Sequence, residues 1–264
     1  MRVEYVFESP SVVILDVTCM PGPQPPSDVE VEPAFAIGFP RQGVYIHETP
    51  GGRVIADPTV ALFRSQGAEQ TTIHPTGAGD SNTEIQFPAP IIESLLDRRG
   101  RFRRGSVPIA NRLAVRHHRL LARARSGSSS LLEIEEEAVT LLRLLSFLPF
   151  PCDTSERSRT LVANTREELG ANYQENLDLA TIARRVGSSP FHLSRVFKRA
   201  TGRSMTDHRS TLRVRHVLNR LSEGADDLSR VAVEAGFYDH AHMTKEFRRR
   251  IGSVPSEMRS LLAD

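Results

Sequence analysis

Twelve residues near the C-terminus, FHLSRVFKRATG (191–202), return fifty positions later as AHMTKEFRRRIG (241–252). His192, Phe197, Arg199 and Gly202 recur as His242, Phe247, Arg249 and Gly252, with Leu193 answered by Met243 and Lys198 by Arg248. The stretches ahead of them repeat as well. In LATIARRVGSSP, from Leu179, Ala183 is followed four residues later by Gly187; in VAVEAGFYDH, from Val231, Ala232 is followed by Gly236. A small alanine lets two helices approach closely, and the glycine permits the turn between them. Ser189 then suits the N-cap of a new helix and Pro190 its first position, where the missing N–H costs nothing. Leu193, Val196 and Phe197 form that helix's inner stripe, and Met243 and Phe247 form its counterpart. Each copy has the spacing of a helix-turn-helix. The copies align at an offset of 49 before the turn and 50 after it, so the second turn holds one extra residue.

One such match is weak, since ordinary helical hairpins imitate it. Two in register, each ending in a basic turn and a glycine, are hard to explain by packing alone. Between them, HRSTLRVRHVLNRLSEG (208–224) places Leu212, Val217, Leu218 and Leu221 on one face of a connecting helix. Fifteen residues of helix are roughly 22 Å long. Neighbouring major grooves on one side of DNA lie about 34 Å apart, so a rod of this length with a reading helix at each end can fill both.

Positions off the inner stripe are the candidates for DNA contact. Base reading falls to Phe191, His192, Ser194 and Arg195 in the first unit, and to His240, His242, Thr244 and Lys245 in the second. A guanidinium can take guanine O6 and N7 together, which singles out Arg195. Phe191 either packs on a thymine methyl or belongs to the core, and the histidines either read bases or brace neighbouring helices. Ser189, Lys198, Arg199, Arg248 and Arg249 are placed on phosphates, where they set affinity and salt sensitivity rather than sequence choice.

These residues resemble those of the AraC/XylS family of bacterial transcription regulators. The matching pattern is Phe191-x-Leu193-x-Arg195-x-Phe197-Lys198 with Gly202, then Ala235-Gly236-Phe237-x-Asp239 with Phe247-Arg248, Gly252, Pro255 and Arg259. Met205 stands where the family often has proline, and His242-Met243 where it often has His-Phe. The resemblance implies an effector-responsive regulator with an N-terminal cupin-like sensing domain that acts through RNA polymerase. For the front half it rests loosely on HPTGAGD (74–80) and the TEIQF segment after it, and it transfers no ligand.

The rest of the chain reads as α+β. Short β-branched or apolar pieces in residues 1–90, namely VVILDV (12–17), FAIGF (35–39), VYI (44–46), RVIADPTVALF (53–63) and TEIQF (83–87), are separated by Pro/Gly turns. They suggest a sandwich or barrel. From Ile91 the period becomes helical: IIESLLDRR, then the basic ANRLAVRHHRLLARAR (110–125), then LLEIEEEAVTLLRLLSFL (131–148) with Leu131, Ile134, Ala138, Leu141, Leu145 and Leu148 as an apolar stripe. That stripe either packs on its own domain or pairs with a second subunit; the basic helix either adds a DNA contact or salt-bridges the acidic front. A further helix is expected over about 158–172. The expected division is 1–155 for sensing and dimerisation and 156–264 for DNA binding, with the two units at about 177–200 and 227–250.

Charge agrees with that division. Residues 1–90 hold 4 basic and 11 acidic side chains, whereas residues 172–264 hold 16 and 11, so only the back half suits a polyanion. Cys19 and Cys152 lack metal-ligand spacing or the density of a disulfide scaffold, and no apolar run is long enough to span a membrane. The expectation is a cytoplasmic protein without a membrane partner, metal or cofactor. His47, Glu48 and His74 form no recognisable ligand set, and no nucleophile–base signature supports catalysis. The competing class is a cupin-type metal-dependent enzyme with an accessory helical domain.

Overall fold

The computed structural model describes residues 1–22, 25–95, 105–148 and 155–263. Its front part holds two antiparallel sheets. The larger is built from β1 (Arg2–Glu8), β2 (Val13–Cys19), β9 (Asp80–Phe87), β4 (Phe35–Gln42), β7 (Val60–Arg64) and β10 (Gly105–Pro108), in that order. The smaller runs β3 (Glu30–Val31), β8 (Glu69–Ile73), β5 (Tyr45–Thr49) and β6 (Gly52–Ala56). The RVIADPTVALF segment is two strands, because Asp57 and Pro58 turn the chain: Val60 N–H donates to Asp57 O at 3.2 Å, and Thr59 N–H donates to the Asp57 carboxylate at 2.8 Å. Strands β1, β8 and β10 have no counterpart among the apolar pieces of the sequence. Each is short or polar and gains its place by pairing, β1 with β2, β8 with β5 and β10 with β7.

The helices that follow are α1 (Ala89–Leu95), α2 (Asn111–Ser126), α3 (Leu131–Ser146), α4 (Glu156–Ala171), α5 (Leu179–Arg185), α6 (Pro190–Thr201), α7 (Met205–Ser222), α8 (Leu228–Glu234), α9 (His240–Ile251) and α10 (Pro255–Ala263). Helix α3 begins with a capping box: the Ser130 side chain accepts from Glu133 N–H, and the Glu133 carboxylate accepts from Ser130 N–H at 2.8 Å. Helix α2 ends at Gly127 with φ 64°, a left-handed turn that glycine adopts without strain. The end of the IIESLLDRR segment past Leu95 and residues 149–154, ahead of the expected boundary at 155/156, lie outside the described residues.

Of the six stripe residues on 131–148, Ile134, Ala138, Leu141 and Leu145 are buried within the chain itself, against the core that α2 and the larger sheet share. That choice removes the stripe as a free dimer surface; the apolar side chains α3 leaves outside are Leu131, Leu132 and Leu144, with Phe147 just beyond its end. The basic helix α2 is likewise used internally. His117, His118, Leu120 and Leu121 are buried, Arg125 pairs with Asp16 of β2, and Arg116 pairs with Glu137 of α3.

Helix α7 departs most from expectation. Sequence pattern gives it one apolar face, yet it is buried nearly all round, including His208, Arg213, Arg215, His216 and Asn219. The larger sheet's Ile37 and Phe63, α2, α7, the second repeat unit and α10 share one continuous apolar cluster. The first unit keeps a separate cluster of Leu169, Tyr173, Ile182, Ala183, Leu193, Phe197, Met205 and Leu212. Polar residues inside α7 are only partly satisfied: Arg215 donates from Nη2 to Ile109 O at 3.2 Å but leaves Nε and Nη1 without a hydrogen bond, whereas Arg213 is more fully engaged. Arg213 donates to the carbonyls of Tyr173, Gln174 and Glu175 and to Asn176 Oδ1, at 2.7 to 3.2 Å.

Candidate nucleic-acid interface

Both units are built by the same local devices. Asp178 caps α5 by accepting from Thr181 N–H, and Asp227 caps α8 by accepting from Arg230 N–H. Ser189 Oγ accepts from His192 N–H at the start of α6; at the matching place Asp239 accepts from His242 N–H at 2.7 Å to start α9. Pro190 occupies the first turn of α6. Gly202 and Gly252 end the two helices with φ 72° and 98°. Inside, Leu193 and Phe197, and then Met243 and Phe247, are completely buried. Burying each such side chain is worth about 1.5–3 kcal/mol, so one face of each helix is committed to the core and the other is left to solvent.

The expected reading positions lie on that outer face. Phe191, His192, Ser194, Arg195, His240, His242 and Lys245 are exposed, and Thr244 is half-buried. Phe191 is 76% exposed, which removes it from the core. The Arg195 guanidinium carbon sits 5.8 Å from its ring centroid, so the aromatic face orients the guanidinium one turn along α6. His242 leans its ring edge-on against Phe237, with centroids 5.4 Å apart, while staying open to solvent. His240 Nε2 lies 3.4 Å from Thr244 Oγ1.

The phosphate set divides. Among the described residues Lys198, Arg199 and Arg248 are exposed cations without an ion pair, whereas Arg249 is tied to Glu246 at 2.6 Å. Its hydrogen bond holds the Glu246 carboxyl below the usual range, so the pair is charged and mutually engaged. The spacing that put Arg249 beside Arg199 could not show this, because Glu246 has no acidic counterpart in the first copy. Arg250 turns inward to Asp207 at 2.9 Å and ties α9 to the start of α7.

Sequence reasoning passed over Tyr238. It is the extra residue of the second turn: Phe237 folds inward at 6% exposure and Tyr238 stands 90% exposed just before the cap of α9. The change of offset from 49 to 50 is the signal that locates it. The second turn is also the tighter one. Gly236 has φ 78°, and a Cβ there would collide with the Gln174 backbone; Gly187 has φ 66° and open space around it.

Two of the polar links between the sheets and the helices that carry these units involve buried charges. The fully buried Asp57 carboxylate, in the β6–β7 turn, receives Arg166 of α4 through Nε at 3.0 Å and Nη2 at 2.7 Å, with His208 Nε2 of α7 at 3.6 Å. Burial opposes ionisation, but Arg166, His208 and Thr59 together hold the carboxyl well below the ordinary carboxylate range. Arg41 of β4 pairs with Asp16 and reaches Asn219 Oδ1 of α7 at 3.4 Å. A cleft of about 420 Å³ opens beside α2 and α7, lined by Arg112, Arg203, Asp207, Thr211 and Arg250 among others.

A helix-turn-helix domain model matches residues 182–260. The regulator GlxA of Rhizobium meliloti is 29% identical over 93 residues, 35% of this chain and 29% of that protein. The arabinose operon regulatory protein of Escherichia coli is 31% identical over 85 residues, 32% of this chain and 29% of its own. The matched stretch thus spans under a third of either relative. The crystal structure of ToxT from Vibrio cholerae aligns over 96% of this chain and 98% of its own at a TM-score of 0.40 and 10% identity, a likeness too weak to carry a conclusion. Residues 182–260 thus carry a helix-turn-helix domain, with two capped, outward-facing helices, that is similar to the matched stretches of these two regulators.

Proposed function

We propose that the protein is a sequence-specific DNA-binding transcription regulator that reads two successive major grooves with α6 and α9. The observation carrying this reading is the pair of helices whose inner faces are fully buried and whose outer faces present Arg195 and Lys245 to solvent. Base reading falls to Phe191, His192, Ser194, Arg195, His240, His242, Thr244 and Lys245, and phosphate binding to Ser189, Lys198, Arg199 and Arg248, with Arg249 a weaker contributor. Residues 1–155 sense and 156–264 bind DNA. Control passes to RNA polymerase in the cytoplasm. A small effector would act where the two halves meet, in the cleft that joins Ala110, Asn111 and Arg112 to Arg203, Asp207, Thr211 and Arg250; Arg112 and Arg203 favour an anion there, since Arg250 is already paired with Asp207. Dimerisation falls to Leu131, Leu132, Leu144 and Phe147 rather than to the buried stripe. The relatives named above are regulators, which supports a non-enzymatic role.

The test is selection of bound sites from random duplex DNA by the purified chain. A preferred element with two short conserved blocks about one helical turn apart is expected. Binding that never rises above the nonspecific level overturns the reading.

A further inference from the structure

Cys19 meets two side chains from a distant part of the sequence, His74 and Asp80, at one end of the larger sheet. Cys19 closes β2 and Asp80 opens β9, and the two are direct partners in the strand register. His74 lies in the HPTGAGD loop that joins β8 to β9, and its Nδ1 is 2.6 Å from Asp80 Oδ2. The ligand atoms of Cys19, His74 and Asp80 all lie within 4.8 Å of one another.

We propose that Cys19, His74 and Asp80 form a zinc(II) site with a fourth coordination position left open. One thiolate, one imidazole and one carboxylate are the donors zinc takes, and three protein ligands with an open position is a recurrent arrangement. Zinc bonds of about 2.0–2.3 Å set tetrahedral donors about 3.3–3.8 Å apart. The trio needs only a small contraction towards the thiol, and the His74–Asp80 hydrogen bond is exchanged for two metal bonds. Harder ions such as magnesium or calcium are excluded by the sulfur.

The surroundings favour a built site over a chance cluster. Cys19 and Asp80 are buried and His74 nearly so. Cys19 is buried at 6% exposure yet lies outside the four apolar clusters formed among the described residues. Gly79, at φ 79°, presses the loop against the end of β2, where a Cβ would strike the Cys19 carbonyl and Pro21; Gly43 presses from the other side onto Gly79 and Asp80. Without a cation, burial and the Asp80 charge push the Cys19 thiol up to about 11, so it is protonated at neutral pH. On binding, the S–H proton is released to solvent, the S–Zn bond forms, and one net positive charge remains to balance the Asp80 carboxylate. Asp16 lies three residues before Cys19 on β2 and pairs with Arg41, which reaches α7. The site therefore stiffens β2, whose Asp16 holds the Arg41 side chain that reaches α7 from β4.

The experiment uses the full chain, stripped with a chelator and titrated anaerobically with Co²⁺ and then Zn²⁺. One equivalent of cobalt should give a thiolate-to-cobalt charge-transfer band with the intense visible bands of a tetrahedral ion, and zinc should displace both. Cys19→Ser should lose the charge-transfer band, Cys152→Ser should keep it, and His74→Gln or Asp80→Asn should weaken zinc binding on the order of tenfold or more. No charge-transfer band in the unmodified chain overturns the proposal, and this needs no variant to fold. A band that survives Cys19→Ser overturns it equally.

Discussion

Acidification should destabilise this protein well above the pH at which carboxylates titrate. Burial pushes His47 and His216 down to about 4, and His117 and His118 well below their ordinary value. Arg41, Arg215 and Arg125 face the His117–His118 pair and add to the effect. Each imidazole is neutral in the folded state and binds its proton only on unfolding. Stability is therefore complete above about pH 6.5 and falls as pH drops from there towards the folded values. At pH 5.5, one unit below the unfolded value, each histidine costs about 1.4 kcal/mol, or about 5–6 kcal/mol for the four. Glu32 acts in the opposite sense. Burial raises it to about 7, so it is protonated in the folded state and returns about 2 kcal/mol at pH 5.5. Asp80, raised mainly by burial, adds in the same direction. A net loss of about 3 kcal/mol remains, a large share of the 5–15 kcal/mol typical of a domain. Urea unfolding at pH 7.5 and 5.5, read by circular dichroism, measures it. A difference under about 1 kcal/mol, or a gain on acidification, refutes the assignment of these histidines as neutral. His118→Gln, whose parent ring contacts Ser222 at 3.1 Å, should remove about a quarter of the histidine contribution whatever it does to stability at pH 7.5.

Other expectations follow from the same contacts. Arg195→Ala should relax sequence preference at one base position by about 1–3 kcal/mol, measured with base-substituted duplexes. Arg248→Ala should weaken all sites alike and lower the salt slope by about one, whereas Arg249→Ala should do less because Glu246 already engages that side chain. Gly236→Ala should destabilise far more than Gly187→Ala: both meet a left-handed backbone costing about 1–2 kcal/mol, but only the former drives a Cβ into Gln174. Denaturant midpoints of the two variants test this. Asp57→Ala should cost about 3 kcal/mol by leaving the partly buried Arg166 without its anion, again read by urea unfolding.

What could be read before any coordinates were seen was local. Ser189, Pro190, the Leu193–Phe197 pair and Gly202 each obey rules set by a single helix turn, and duplication stated those rules twice. Strand β2 was plain because β-branched residues crowd together in it. The features that escaped depend on partners distant in sequence. The charged composition of α7 gives no hint that Arg215 and Asn219 end up buried, since Arg41, 178 residues before Asn219, supplies one of the contacts. The Glu246 brace on Arg249 is an i,i+3 pair at a position where the two copies differ, so the repeat pattern itself does not carry it. Cys19 is brought to His74 and Asp80 only by the strand register of β2 and β9, which a list of spacings does not contain.

Helix α7 acts as a ruler. One added residue lengthens it by about 1.5 Å and rotates everything beyond by about 100°, which would swing α9 away from the groove its partner selects. Because α7 is enclosed on nearly every side, such a slip could not be absorbed by bending. Insertions and deletions in proteins built this way should therefore gather in the connecting turns, as the additional Tyr238 does, and spare the helix that sets the distance.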